Sequence, residues 1–130
     1  MEDLCLICKN EPGSHSFFKL CEMNGLSIFY TKPADATKYN DRIGILSHYD
    51  ALLSANEKKK WRWIFDSKGF GLKHALEVRI GIGIAKLITK KYSHNLESIV
   101  IKNPNWYIKS MYIAVAPFLT KEVNDIIIFE

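Results

Sequence analysis

No secretory leader is visible in the 130 residues, and none is expected. The chain starts Met1-Glu2-Asp3-Leu4, acidic where an export signal would be basic. Cysteine is scarce, with three residues and no arrangement that reads as a disulfide set. Together these two features predict a reducing, cytoplasmic setting. The greasiest helical stretch is about 14 residues, short of the ~20 needed to cross a bilayer. There is no internal repeat and no low-complexity segment. Catalytic signatures are also missing. No Ser-His-Asp order follows an elbow motif, no carboxylates pair in an apolar setting, and no metal-binding helix appears. Gly81-Ile82-Gly83 lacks the third glycine and the preceding strand-turn of a dinucleotide site. The expectation is therefore a protein that is not an enzyme and carries no cofactor.

What is present is apolar. Hydrophobic residues make up 48% of the chain, enough for a real core in a single domain spanning residues 1–130. The net charge of +4 is mild. It suits an anionic membrane surface or nucleic acid, and equally an ordinary globular protein.

The segment from Trp106 to Leu119 stands out, because Lys109 is its only charge. A surface helix normally shows a polar face. One without it is buried, lies in a bilayer surface, or faces an apolar space. Trp106, Tyr107 and Tyr112 add rings with polar tips, which suit a membrane interface and suit a core equally.

The rest of the chain reads as alternating elements. Ser16–Met23 and Leu26–Tyr30 flank Asn24-Gly25, a hairpin signal because both residues tolerate positive φ. Ile43, Leu46, Tyr49, Leu52 and Leu53 predict a helix within Tyr39–Asn56, with His48 as a surface or partly buried residue. Trp61–Phe65 and Ile99–Ile101 read as buried strands. Between them, Leu76, Ile80, Ile84, Leu87 and Ile88 form the stripe of one helix over Leu72–Tyr92, in which Gly81 and Gly83 allow close packing on the sheet. Thr120 caps a last helical turn, and Ile126–Phe129 is the closing strand. Strands separated by helices imply parallel neighbours with right-handed crossovers.

Cys5, Cys8, His15 and Cys21 have zinc-type side chains in a C-x2-C-x6-H-x5-C order. The spacing is not that of a common zinc knuckle, and the intervening residues are apolar, so the reading is buried thiols and no metal. Lys58-Lys59-Lys60 before Trp61-Arg62-Trp63 matches RNA binding only if the tryptophans are exposed. As core residues they leave the lysines a solvated connector or an anionic-membrane contact, and nucleic acid is not an expected partner.

Three motifs in register resemble the CRAL-TRIO lipid-binding family. They are Trp63-Ile64-Phe65-Asp66 with Gly69, then Ile99-Val100-Ile101-Lys102-Asn103-Pro104, then Pro117-Phe118-Leu119 leading to Ile126–Phe129. The resemblance covers 61–129 well and 16–60 loosely. It implies an α/β fold in which a mixed, largely parallel sheet floors an apolar pocket, with helices packed on it. The helix after Asn103-Pro104 acts as a gate. The implied ligand is a lipid or other small hydrophobic molecule. Trp63, Phe65, Ile99, Ile101, Tyr107, Met111, Tyr112, Val115 and Phe118 are the expected pocket residues. Trp106 and Lys58–Lys60 are the expected contacts for peripheral membrane association, and Asp66 and Asn103 are corner residues. The family's N-terminal helical subdomain is expected to be absent. His94, Asn95 and Asp125 stand where inositol-lipid binders carry Glu, Arg and Lys, so a different ligand is implied. The alternative is a pocket-less interaction module that pairs through the same helix, for example as a homodimer.

Overall fold

A computed structural model describes residues 4–130; Met1–Asp3, and with them most of the acidic start, lie outside it. A one-and-a-half-turn helix, α1 (Leu6–Asn10), leads into the hairpin of β1 (Phe18–Met23) and β2 (Leu26–Thr31). Asn24 and Gly25 turn it with φ of 53° and 81°, as the dipeptide predicts. The chain continues through α2 (Arg42–Ala55), β3 (Lys60–Asp66), α3 (Leu72–Ala75) and α4 (Val78–Leu87). After a wide π-helical turn at Ile88–Tyr92 come β4 (Leu96–Lys102), α5 (Trp106–Val115), α6 (Lys121–Asp125) and β5 (Ile127–Phe129).

The five strands form one mixed sheet in sequence order. β1 and β2 are antiparallel, and β2, β3, β4 and β5 are parallel. The α/β expectation therefore holds. Phe29, Trp63, Ile99 and Ile127 lie side by side across the sheet, as do Thr31, Phe65, Ile101 and Phe129. Because side chains alternate along a strand, the first row and its neighbours Trp61 and Phe65 share one face. That face carries the core, with Trp61 wholly buried and Phe29, Trp63 and Ile99 nearly so. The opposite face is wetter. There Arg62 pairs with Glu97 at 2.7 Å, and Ile128 is 51% exposed.

Two expectations about Leu72–Tyr92 need correction. The stretch is not one helix: the ladder breaks at Leu76-Glu77 and restarts as α4. Leu76 is 70% exposed, so it leaves the stripe, while Ile80 and Ile88 are buried on it. Gly81 and Gly83 do allow close packing, but against helices and not the sheet. A Cβ on Gly81 would sit 2.9 Å from Val115 Cγ2 of α5, and one on Gly83 would sit 3.0 Å from Leu46 Cδ1 of α2.

Corners between strands and helices are built from hydrogen bonds. Asp66 at the end of β3 accepts from Tyr30 Oη at 2.6 Å, Asn103 Nδ2 at 3.0 Å and the Lys68 N–H at 3.0 Å. Asn103 itself takes φ 50°, which a β-branched residue would resist. Asn105 caps α5 by accepting from the Ile108 N–H, and its amide donates to the Ser67 and Phe70 carbonyls. Thr120 Oγ1 accepts from the Val123 N–H, as its position as a cap predicts.

Candidate functional site: an apolar cavity beneath α5

A cavity of about 160 Å³ lies between the core face of the sheet and helices α2, α4 and α5. Its floor is Thr31, Trp63, Phe65, Ile99, Ile101 and Ile127. α5 covers it with Ile108, Met111, Tyr112 and Val115, and α4 closes a side with Ile80, Gly81 and Ile84. Gly81 brings α4 and α5 into contact here, since any side chain would meet Met111 and Val115.

The few polar groups in the wall mostly satisfy one another. Trp63 Nε1 donates to Thr31 Oγ1 at 2.9 Å, and Thr31 Oγ1 lies 3.2 Å from Tyr49 Oη. Tyr112 Oη donates to Asn124 at 2.7 Å. His74 Nδ1 accepts from the Gly71 N–H at 3.0 Å, with the ring stacked on Phe70. Burial pushes the Tyr49 phenol upward. Burial, helped by Lys73, pushes the His74 imidazole down from its ordinary value, so both stay neutral near neutral pH. Among the described residues, the buried side-chain atoms lacking a hydrogen-bond partner are on Ser67, Thr89 and Asn95, and none of these lines the cavity. The interior thus offers area and shape, and few spare donors or acceptors.

Of the nine residues predicted for a pocket, seven stand on its wall: Trp63, Phe65, Ile99, Ile101, Met111, Tyr112 and Val115. Tyr107 packs against the core beside it. Phe118 is 40% exposed, with Lys86 Nζ 5.2 Å from its ring centre. Sequence reasoning missed the walls contributed by α2 and α4, although the Ile80–Ile84–Ile88 stripe was already visible as an apolar face. It also missed His74 and Glu77, for which no local pattern gives a signal.

The outer side of α5 is apolar too. Trp106 and Ile113 are each 73% exposed, with Lys109 on the same side. Lys58, Lys59 and Lys60 lie elsewhere. Lys58 and Lys59 precede β3 and Lys60 opens it, whereas Trp106 follows the far end of its parallel neighbour β4, so the two predicted membrane contacts sit at opposite ends of the strands. Lys59 Nζ is 3.5 Å from Glu22. Trp61 and Trp63 are buried and cannot stack on bases. Lys102 is exposed at its strand end, 3.9 Å from the Glu130 carboxylate. His94 and Asn95 do not line the cavity; the Asn95 amide donates to the Lys59 carbonyl, and Asp125 pairs with Lys121. Among the described residues, no helix is long and apolar enough to cross a membrane.

A sheet roofed by helices, with an apolar space beneath the helix that follows an Asn-Pro corner, defines an α/β domain of the hydrophobic-pocket type. The CRAL/TRIO domain model matches residues 45–130, and the chain belongs to that family. Its fold is similar to the crystal structure of Sfh5, with a TM-score of 0.68 at 10% sequence identity. The match covers 88% of this chain and 46% of that one, so the chain spans about half the length of that structure. No curated protein matches.

Proposed function

We propose that this domain binds a small hydrophobic molecule, lipid or otherwise, between α5 and the sheet, and performs no chemistry on it. The observation that carries this reading is the cavity itself. At ~24 cal/mol per Å³, a space of about 160 Å³ would cost up to about 4 kcal/mol where it is sealed from solvent and empty. That is a large share of the ~5–15 kcal/mol that holds a typical domain together. An apolar occupant recovers much of it. A similar engineered cavity of about 150 Å³ stays dry and takes benzene. A space of this volume therefore matches one ring or a short chain, and a two-chain lipid requires α5 to move outward.

The structure of α5 supports a gate. Its ends are tied by hydrogen bonds, through Asn105 at the start and Tyr112–Asn124 near the close. Its middle meets Gly81 of α4 through Met111 and Val115, an apolar contact with no hydrogen bond to break. The outer row of Trp106 and Ile113 then suits contact with a membrane surface, so that gate and docking face are one helix.

Solvent extraction of the purified protein followed by mass spectrometry tests this reading. An apolar molecule at near one per chain is the expected result. Ile113→Asp is expected to cut binding to phospholipid vesicles several-fold while leaving that molecule in place. A ligand-free dimer that Ile113→Asp or Met111→Asp splits would instead establish the interaction-module alternative.

A further inference from the structure

We propose that Cys5, Cys8, His15 and His48 form a structural zinc site that fastens the N-terminal segment to α2. The four side chains are each at least nine-tenths buried, and their ligand atoms all lie within 4.8 Å of one another. His15 Nδ1 is 3.5 Å from Cys5 Sγ and 3.6 Å from Cys8 Sγ, and His48 Nδ1 is 3.6 Å from Cys8 Sγ. A tetrahedral zinc ion with ordinary Zn–S and Zn–N bonds separates sulfur from nitrogen by about 3.5 Å. The three distances match three of the six edges of such a tetrahedron. Thiol–imidazole hydrogen bonds have similar lengths, so it is the convergence of four buried ligand atoms on one point, more than any single distance, that carries the assignment.

The outer contacts fix the imidazoles for the same task. His48 Nε2 lies 2.6 Å from the Phe17 carbonyl, which can only accept, so Nε2 carries the proton and Nδ1 turns its lone pair inward. His15 Nε2 lies 3.0 Å from Asp41 Oδ2, with the same consequence. A carboxylate or carbonyl behind each ligating histidine is the usual support of a zinc site. Asp41 is held in turn by the Gly44 N–H at 3.2 Å, and Gly44 has to be glycine: a Cβ would fall 2.0 Å from the Asp41 carboxylate.

The segment needs such a fastening. α1 has five residues, too few to stand as an isolated helix. Leu4 and Leu6 are exposed. Between Leu4 and Ser16 the buried residues are Cys5, Cys8, Ser14 and His15, so three of the four belong to the cluster. Four protein ligands leave no open position, which makes the site structural and not catalytic. His15 also lines the apolar cavity, but the proposal does not depend on what the cavity binds. Cys21, the fourth member suggested by spacing, is exposed on β1 and lies outside the cluster.

Elemental analysis of the full chain, purified without a chelating column, is expected to give close to one zinc per chain. Replacement by Co²⁺ is expected to produce visible d–d bands and a near-ultraviolet thiolate charge-transfer band. Removal of zinc by a strong chelator is expected to lower Tm by roughly 5 °C or more, restored by Zn²⁺. His48→Gln and Cys8→Ser abolish stoichiometric binding, and Cys21→Ser leaves it intact. If both cluster variants fail to fold, the cobalt spectrum and the zinc-dependent Tm of the unaltered chain decide the question. A chain that binds no zinc tightly, or that carries a Cys5–Cys8 disulfide without metal, overturns the proposal.

Discussion

Ile108→Asp is expected to remove about 3 kcal/mol or more of stability and to unseat α5. Ile108 is 5% exposed and belongs both to the core and to the cavity wall. An aspartate there would bring a carboxylate into apolar surroundings, and the nearest cation in sequence, Lys109, is exposed to solvent. One effect opposes the loss. Position 108 is in the first turn of α5, where a negative charge gains ~0.3–1 kcal/mol from the helix dipole. That gain is several-fold too small to offset the burial. The control is Ile113→Asp on the exposed side, expected to change stability by no more than ~0.5 kcal/mol. Urea unfolding of the two variants gives the comparison. Equal costs would mean that α5 is not seated on the sheet by its Ile108 face.

The second large effect is at the corner. Asp66→Ala is expected to cost about 1–3 kcal/mol, chiefly because the part-buried Tyr30 hydroxyl loses its acceptor, while the exposed Asn103 amide and Lys68 N–H turn to water. It also has a pH signature. Burial alone would raise the Asp66 carboxyl, but hydrogen bonds from Tyr30, Asn103 and Lys68, with the charge of Lys32, hold it below its ordinary value. The same bond pushes the Tyr30 phenol up to about 12. A carboxylate with a lowered folded-state pKa stabilises fully above its unfolded value of about 3.9 and loses that contribution as pH falls through the folded value. The variant should therefore be destabilised most at neutral pH and progressively less in strong acid. Thermal unfolding across that range measures it. A deficit that stays constant into strong acid would show that the charged carboxylate is not what holds the corner.

Much of this fold was legible because its signals are local. Asn24-Gly25 tolerates positive φ whatever surrounds it, and Thr120 caps its helix through a bond three residues on. Trp63, Phe65, Ile99 and Ile101 came out on one wall because they alternate along buried strands. Features made by distant partners were not legible. The break at Leu76-Glu77 contains no glycine or proline, and a periodic stripe ran straight through it. The expectation for His48 is a surface or partly buried residue, yet it is buried and faces Cys8, 40 residues away in sequence. The spacing offered Cys21 in its place, because sequence proximity was the only geometry on view. Helix α5 shows the limit from the other side. Its composition announced contact with something apolar, but both of its faces are apolar, so composition could not say which covers the cavity.

The most direct measurement is a benzene titration of the methyl-labelled protein followed by nuclear magnetic resonance. Saturable shifts are predicted at Ile80, Ile99, Ile101, Met111 and Val115, which line the space beneath α5, with Ile43 and Ile113 unmoved. Interior methyls that stay silent while exposed ones drift in proportion to added benzene would contradict an accessible cavity at that position.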